Sequence, residues 1–288
     1  MIRMPALGFG CSPFRPGGRI DLSEVEAAVR TALAAGYRLF DLAEVYGTEA
    51  AVGRALRSSQ APARAELFLV GKAWRTSFRP AALRQACEGS LRRLGVEAFD
   101  LYLLHAPEAW KHRGPLVDPG EAGWDELERL AGNPEPDDVP LQETWEAMRD
   151  LERRGLAGAI GVSNFAPEQM GTLGSGLPAA NEIESSPYRP QEEIADWCRA
   201  RGIALLAYSP LSSPGSAAGL LAEPMLVELA ARHGCSPAAV ALRWNIQRGL
   251  APLPASTDPA HITGNLAALE IELDAAEMAR LGSLAGER

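Results

Sequence analysis

Arg38-Leu39-Phe40-Asp41-Leu42-Ala43-Glu44-Val45-Tyr46-Gly47 reads as an apolar strand that ends on an acid, with a tyrosine five residues further on. A carboxylate at the end of a buried strand is costly unless something pairs with it, so the run implies a facing cation. Two later runs end on polar groups in the same way. Glu66-Leu67-Phe68-Leu69-Val70-Gly71 leads into Lys72, and Phe99-Asp100-Leu101-Tyr102-Leu103-Leu104 leads into His105. Working outward from these three, eight short apolar runs stand near residues 6–10, 38–43, 66–71, 99–104, 157–162, 179–183, 203–208 and 250–254. Most are separated by helical periodicity, and eight successive strand-helix units predict an α/β fold closed into a (β/α)8 TIM barrel.

The helices carry ordinary start and stop signals. Ser23 with Glu26 three residues on predicts a capping box with Ser23 as N-cap, and Gly36 marks where that first helix should stop. Similar patterns recur near 79–94, 141–154, 191–201 and 236–247. Residues 106–140 hold many Pro, Gly and charged residues around one short helical patch at 121–130, which predicts a long loop on the rim of the barrel. No repeat beyond the strand-helix alternation and no separable second domain emerges, so residues 1–288 are read as a single domain.

With 288 residues, 47% of them hydrophobic, the chain can bury one large core. The formal net charge of −9 argues against a surface built for nucleic acid or acidic lipid. Cys11, Cys87, Cys198 and Cys235 are widely spread without a C-x-x-C pair, which fits buried reduced thiols rather than a disulfide frame or a metal site. No signal segment precedes Pro5 and no apolar stretch is long enough to span a bilayer, so the reading is a cytoplasmic protein without a membrane partner.

In a parallel barrel the C-terminal strand ends converge on one mouth, which turns Asp41, Tyr46, Lys72 and His105 into one candidate catalytic site. These groups suit delivery of a proton to a carbonyl oxygen. A phenol with its ordinary pKa near ~10 is a poor acid at neutral pH, and an adjacent ammonium is expected to lower that value. Lys72 would be that ammonium, Asp41 its counter-ion, and His105 a donor that orients the carbonyl. None of the four is a hydride source, so a reduction requires a nicotinamide cofactor. Taken singly, Asp41 and Tyr46 read as capping or rim residues, Lys72 as a snorkelling strand-end lysine and His105 as a core histidine. The joint pattern carries the reading.

At these positions the chain resembles the aldo-keto reductases, whose Asp, Tyr five residues on, strand-end Lys and strand-end His are matched by Asp41, Tyr46, Lys72 and His105. The resemblance extends from Met4-Pro5-Ala6-Leu7-Gly8-Phe9-Gly10 through Gly161-Val162-Ser163-Asn164-Phe165 and Tyr208-Ser209-Pro210-Leu211 to the final helix. It implies a (β/α)8 barrel that binds NADP(H), or less often NAD(H), and interconverts carbonyls and alcohols. By similarity, Ser163 and Asn164 hold the nicotinamide carboxamide and Tyr208 stacks on its ring. Ser209, Leu211 and Ser213 match pyrophosphate contacts, and Ser256, Thr257, His261 and Asn265 lie toward the adenosine end.

Several positions depart from the family pattern. Ala255 and His261 stand where a Lys and an Arg usually clamp the ribose 2′-phosphate, so NADP(H) is favoured only slightly and NAD(H) use becomes credible. Glu182 replaces a carboxamide-binding Gln and, as a carboxylate, accepts but cannot donate. In the substrate pocket Ser12 and Ala106 replace aromatic walls, Trp74 keeps one, and Trp110 or Trp124 is a further wall candidate from the rim loop. The resemblance also implies a long C-terminal loop that this sequence lacks, so a bulky or extended carbonyl substrate is expected. A monomer is expected as well. Two other readings of the same residues are a barrel that uses Lys72 as a Schiff-base nucleophile, and a nicotinamide-binding sensor with slow turnover.

Overall fold

Eight strands lie side by side in chain order: β1 (Gly8–Gly10), β2 (Leu39–Asp41), β3 (Phe68–Ala73), β4 (Leu101–Leu104), β5 (Ile160–Ser163), β6 (Ala180–Glu184), β7 (Ala204–Tyr208) and β8 (Leu250–Pro252). Every neighbouring pair is parallel. The ring closes where the Gly10 N–H donates to the Pro254 carbonyl at 3.0 Å. Closure demands glycine there, because a Cβ on Gly10 would lie 3.0 Å from the Leu253 carbonyl oxygen. The computed structural model describes residues 2–12, 20–132, 134–174, 176–212 and 217–286. Its architecture is the single-domain (β/α)8 barrel expected from the run spacing.

The strands are buried on both faces, which is why they read as nearly continuous apolar runs rather than alternating ones. The alternation is hidden in where each residue goes. Leu39, Val70, Leu101, Leu103, Ala180, Ala204, Leu206 and Leu253 belong to a cluster that fills the barrel interior. Phe40, Leu69, Tyr102, Leu104, Val162, Ile183, Leu205 and Ala207 belong to the layer between strands and helices. Successive side chains on a strand point to opposite faces. The inward set therefore continues through Asp41 on β2, Lys72 on β3, Ser163 on β5, Glu182 on β6 and Tyr208 on β7, and His105 follows the inward Leu103. Strand parity aims all six at the mouth.

Two local expectations are corrected. The first helix is Leu22–Ala35 and its N-cap is Asp21, whose carboxylate accepts the Ser23 N–H at 2.8 Å. The stronger acceptor starts the helix two residues earlier than Ser23 would. Glu26 is then not a capping-box partner and instead pairs with Arg30 and Arg54. Gly36 does end the helix, in the left-handed conformation. Lys72 lies inside β3 rather than after it, because the strand runs Phe68–Ala73.

The rim segment 106–140 is more ordered than a loop. Its single expected helical patch is two helices, Pro119–Ala122 and Trp124–Ala131, joined at Gly123. Backbone pairing closes its base, with Lys111 N–H to Glu135 O at 2.8 Å and Asp137 N–H to Ala109 O at 3.0 Å. Leu116, Leu127, Leu130 and Ala131 form an apolar cluster that packs on Val45 and Trp74, beside the mouth. Among the described residues no helix is long and apolar enough to cross a membrane.

Candidate active site

Lys72 is fully buried and is the centre of the site. Its Nζ makes a short contact with Asp41 and donates to the Leu42 carbonyl at 3.1 Å. It also lies 3.4 Å from the Tyr46 hydroxyl and 3.3 Å from Glu182 Oε1. Tyr46 sits on a short 3-10 turn, Glu44–Tyr46, which follows β2 and ends at Gly47 with φ 67°. The positive φ is needed because the chain must turn back at once toward the helix at Glu49–Leu56, and it tucks Gly47 under Leu127 and Pro119 of the rim. His105 meets Tyr46 edge-on, with ring centroids 5.6 Å apart, and Trp74 meets His105 in the same way at 5.0 Å. The four residues read from the strand ends therefore stand together.

The electrostatics differ from the expectation in one respect. Burial raises the Tyr46 phenol above the ordinary tyrosine range; Lys72 opposes this, while Asp41 and Glu182 add to it. One ammonium cannot offset burial plus two carboxylates, so the expected lowering does not occur in the free protein. Burial, Lys72 and Arg75 together hold His105 well below the usual histidine range. The ring is thus neutral at physiological pH. Lys72 is held above the ordinary lysine range: burial opposes its charge, and Asp41 and Glu182 outweigh that. A lysine locked in its cationic form between two carboxylates is a poor nucleophile, which removes the physical basis for the Schiff-base reading.

On the opposite side of the mouth, Ser163, Asn164, Glu182 and Tyr208 form a connected set. Ser163 Oγ and the Asn164 N–H both donate to the Glu182 carbonyl, at 3.1 and 2.8 Å. Asn164 Nδ2 donates to the His105 carbonyl at 3.1 Å, and the Tyr208 hydroxyl donates to Asn164 Oδ1 at 2.7 Å. Asn164, Ser209 and Ser212 have φ of 65°, 46° and 76°, positions that non-glycine residues seldom occupy. Strained backbone of this kind clusters where a ligand is gripped, and here it follows β5 and β7 at the mouth. Leu211 packs against the core. Ser213 lies outside the described residues.

The remaining predicted positions are dispersed. Ser256 Oγ accepts the Asp258 N–H at 3.0 Å in the turn after β8, and Thr257 beside it is exposed. His261 is exposed, with Nε2 3.8 Å from Asp258 Oδ2. Asn265 is buried and hydrogen-bonded with Tyr37. Ser12 is half-buried and Ala106 is buried. Trp74 and Trp110 meet edge-on at 5.5 Å, with the Arg75 guanidinium 4.8 Å over Trp110, and Trp74 Nε1 donates to the Ala131 carbonyl of the rim at 2.9 Å. The rim thus contributes an aromatic wall.

Two participants were not legible as such in the sequence. Glu182 enters the Lys72 cage as a second carboxylate, a placement that its parity with Ala180 on β6 could have signalled. Glu44 is buried, accepts the Trp74 N–H at 2.6 Å and is pushed up to about 7 by burial. Nothing in its local sequence marks it.

A group that carries a cationic or amide-bearing ring fits this mouth on the chain's own terms. Glu182 Oε2, on a side chain that strand parity aims inward, is a buried polar atom that meets no hydrogen-bond partner. Such atoms are rare without a reason. Comparison with known proteins agrees. The model of the aldo/keto reductase family matches residues 6–285. The chain is 37% identical over 295 residues to mouse aldo-keto reductase family 1 member A1, covering 98% of this chain and 86% of that protein. Its human counterpart is 36% identical over the same coverage. Among solved structures, an aldo-keto reductase of Bombyx mori in complex with NADP superposes with a TM-score of 0.85 at 31% identity, covering 99% of this chain and 91% of that one. The aldose reductase of Schistosoma japonicum gives a TM-score of 0.82 at 34% identity, with 97% and 88% covered.

Proposed function

The chain belongs to the aldo/keto reductase family, and from that premise we propose that it reduces an aldehyde or ketone with a nicotinamide dinucleotide, Tyr46 being the proton donor. The observation that carries the assignment is the contact of the Tyr46 hydroxyl with Lys72 Nζ at 3.4 Å, beside a neutral His105. The nicotinamide supplies the hydride when bound. The chain's own residues do the rest. Tyr46 holds the transferable proton, and Lys72 stabilises the phenolate as that proton leaves. The buried Nδ1 of His105 has no acceptor beside it, which favours the tautomer with its proton on Nε2. That N–H can orient the carbonyl oxygen. Ser163, Asn164 and Tyr208 bind the ring end of the cofactor, and the turns at Ser209 and Ser256 bind toward its phosphates.

Cofactor choice follows from the turn after β8. Ala255 supplies no cation, and the acidic Asp258 lies beside His261, so a 2′-phosphate meets little positive charge. The other nearby arginines are committed elsewhere. Arg243 donates to Gln247, and Arg248 pairs with Glu192 and donates to the Pro190 carbonyl and Ser185 Oγ, beyond the end of β6. NADPH should bind only modestly better than NADH, within about tenfold, and Ala255→Lys should widen the gap by about tenfold, since a charged hydrogen bond contributes roughly 1.5–3 kcal/mol. Fluorescence titrations with both cofactors check this. A wild-type preference near a thousandfold would show that another cation has taken over.

The substrate wall is Trp74 and Trp110, so flat or apolar carbonyl compounds should gain most from contact. Trp110→Ala is expected to raise KM for aromatic ketones about tenfold with little change in kcat, because it removes about 1–2 kcal/mol of binding common to ground and transition states. A steady-state panel that follows NADPH and NADH oxidation with short aliphatic aldehydes and large aromatic ketones tests the assignment as a whole. Tight cofactor binding with no turnover on any carbonyl would point to the sensor reading instead. We propose that the protein works in the cytoplasm as a monomer; its four cysteines are free thiols, as a reducing compartment keeps them.

A further inference from the structure

Three ionisable groups share one dry site beneath Tyr46. The Lys72 side chain is 0% exposed, and the Asp41 and Glu182 side chains that contact it are 5% and 2% exposed. A single ammonium neutralises only one of two carboxylates, and an uncompensated buried charge is costly. The contacts are unequal. Asp41 makes the short contact to Lys72, whereas Glu182 Oε1 stands 3.3 Å away and Glu182 Oε2 is buried with no donor facing it. Asp41 and Glu182 are also within hydrogen-bonding reach of each other, which two carboxyl groups exploit only through a proton. The surplus proton therefore belongs to the Asp41–Glu182 pair, on the Glu182 side.

We propose that Glu182 discriminates between the two redox states of the nicotinamide, keeping its proton beside the neutral reduced ring and losing it beside the cationic oxidised ring. This rests on the carbonyl reductase reading above. The reacting ring carbon must lie next to the carbonyl that Tyr46 protonates, and Tyr46 is linked to Glu182 by two contacts on one Lys72 Nζ, of 3.4 and 3.3 Å. A cation at that place lies close enough to a buried carboxyl to favour its ionised form. Protonated, Glu182 can donate to a carboxamide oxygen as a glutamine would; ionised, it stabilises the cationic ring. The side chain that breaks the family pattern thereby gains a second state.

The groups that face Glu182 are Asp41 from β2, Tyr46 from the turn after it, Lys72 from β3 and Tyr208 from β7; one layer out, His105 faces Lys72, and Glu184, paired with Arg189, faces Tyr208. Burial pushes Tyr208 up to about 12, Tyr46 and Lys72 are held above their ordinary ranges, and His105 is held well below its own. Burial, reinforced by the Asp41 charge, pushes Glu182 up to about 8. The Asp41–Glu182 pair is thus the part of this cage that changes charge between mildly acidic and mildly alkaline pH, and it titrates as a unit. The sign follows: a cation lowers the pKa of the carboxyl, so binding the oxidised form near neutral pH expels a proton, and that form binds more tightly as pH rises toward 8.

The test is calorimetric titration of the oxidised and the reduced cofactor at about pH 7.5, in buffers of different ionisation heat. The oxidised form should release up to one proton and the reduced form none, and the ratio of their Kd values should shift toward the oxidised form by about tenfold between roughly pH 6.5 and 9, the effect of one pKa unit. The 2′-phosphate and His261 act equally on both redox forms and cancel in the ratio. Glu182→Gln should abolish both the proton release and the shift. Equal proton release by the two forms in the wild type, or a shift that survives in Glu182→Gln, overturns the inference. Failure of both forms to bind at every pH would instead overturn the nicotinamide reading on which it stands.

Discussion

Tyr46→Phe is expected to lower kcat for carbonyl reduction by ~10²–10⁴-fold, the usual worth of a positioned general acid. Cofactor affinity should stay within about twofold, because the mutation removes one oxygen and leaves the ring in place. The fold should tolerate it as well. Without the hydroxyl, Lys72 still contacts Asp41, the Leu42 carbonyl and Glu182, so its charge remains compensated. The phenyl ring still meets His105 edge-on and still lies 5.1 Å from Lys72 Nζ at its centroid. A specific loss of proton transfer therefore shows as a fall in kcat with unchanged thermal midpoint and unchanged cofactor Kd. Steady-state rates on the best aromatic ketone, paired with a melt and a binding titration, make the measurement. Near-wild-type turnover would mean that a different group protonates the oxygen, and the assignment of Tyr46 would fail.

The burial of this phenol bears on when it acts. In the free protein burial, Asp41 and Glu182 keep it protonated far into alkali. A donor that never ionises on its own is ready to donate at any physiological pH, and transfer becomes favourable only as negative charge grows on the carbonyl oxygen and makes it basic enough to take the proton. Lys72 then stabilises the phenolate left behind. Lys72 is the conspicuous charge beside Tyr46 in the sequence, but the two carboxyl groups around it decide the resting state.

The barrel was legible because each of its strands is a short apolar run bounded by helix signals, and parity was recoverable once the faces were known. Asp41, Lys72 and His105 could be read because a charged or polar residue at the end of an apolar strand is conspicuous. Glu182 was read only at the position of a carboxamide-binding Gln and not as their partner, because it follows Asn181 within its run instead of ending an apolar one. Its role depends on β6 lying across the barrel from β2 and β3, which no local pattern states. The rim was misjudged for a related reason. Its Gly and Pro content reads as loop, yet Leu116, Leu127 and Leu130 supply enough apolar surface to pack two short helices on Trp74 and Val45. The N-cap of the first helix moved by two residues because Asp21 outcompetes Ser23 for the same N–H groups.

Lys72→Met is expected to cost about 3–5 kcal/mol of folding stability at pH 8, as well as most of the activity, because it strands two buried carboxyl groups without their cation. Methionine matches the apolar stem of lysine and fills the same space, so the loss isolates the charge rather than a cavity. The pH dependence distinguishes this cause from a general packing defect. Burial already raises Asp41 and Glu182 in the wild type, and Lys72 is the one group that opposes this for both. Removing it raises both folded-state values further above the unfolded ones, which lie near ~4. A carboxyl raised on folding contributes stability that is fully present below its unfolded pKa and is lost as pH climbs through the folded value. The deficit of Lys72→Met should therefore be small near pH 4 and grow steadily to pH 8 and beyond, where the wild type still holds its lysine charged. Denaturant melts of both proteins across that range check the slope. Adding Asp41→Asn and Glu182→Gln to Lys72→Met should recover most of the loss, since neutral amides need no cation. A deficit that is constant with pH, or one that survives in the triple variant, would show that Lys72 supports the barrel through packing and not through its charge.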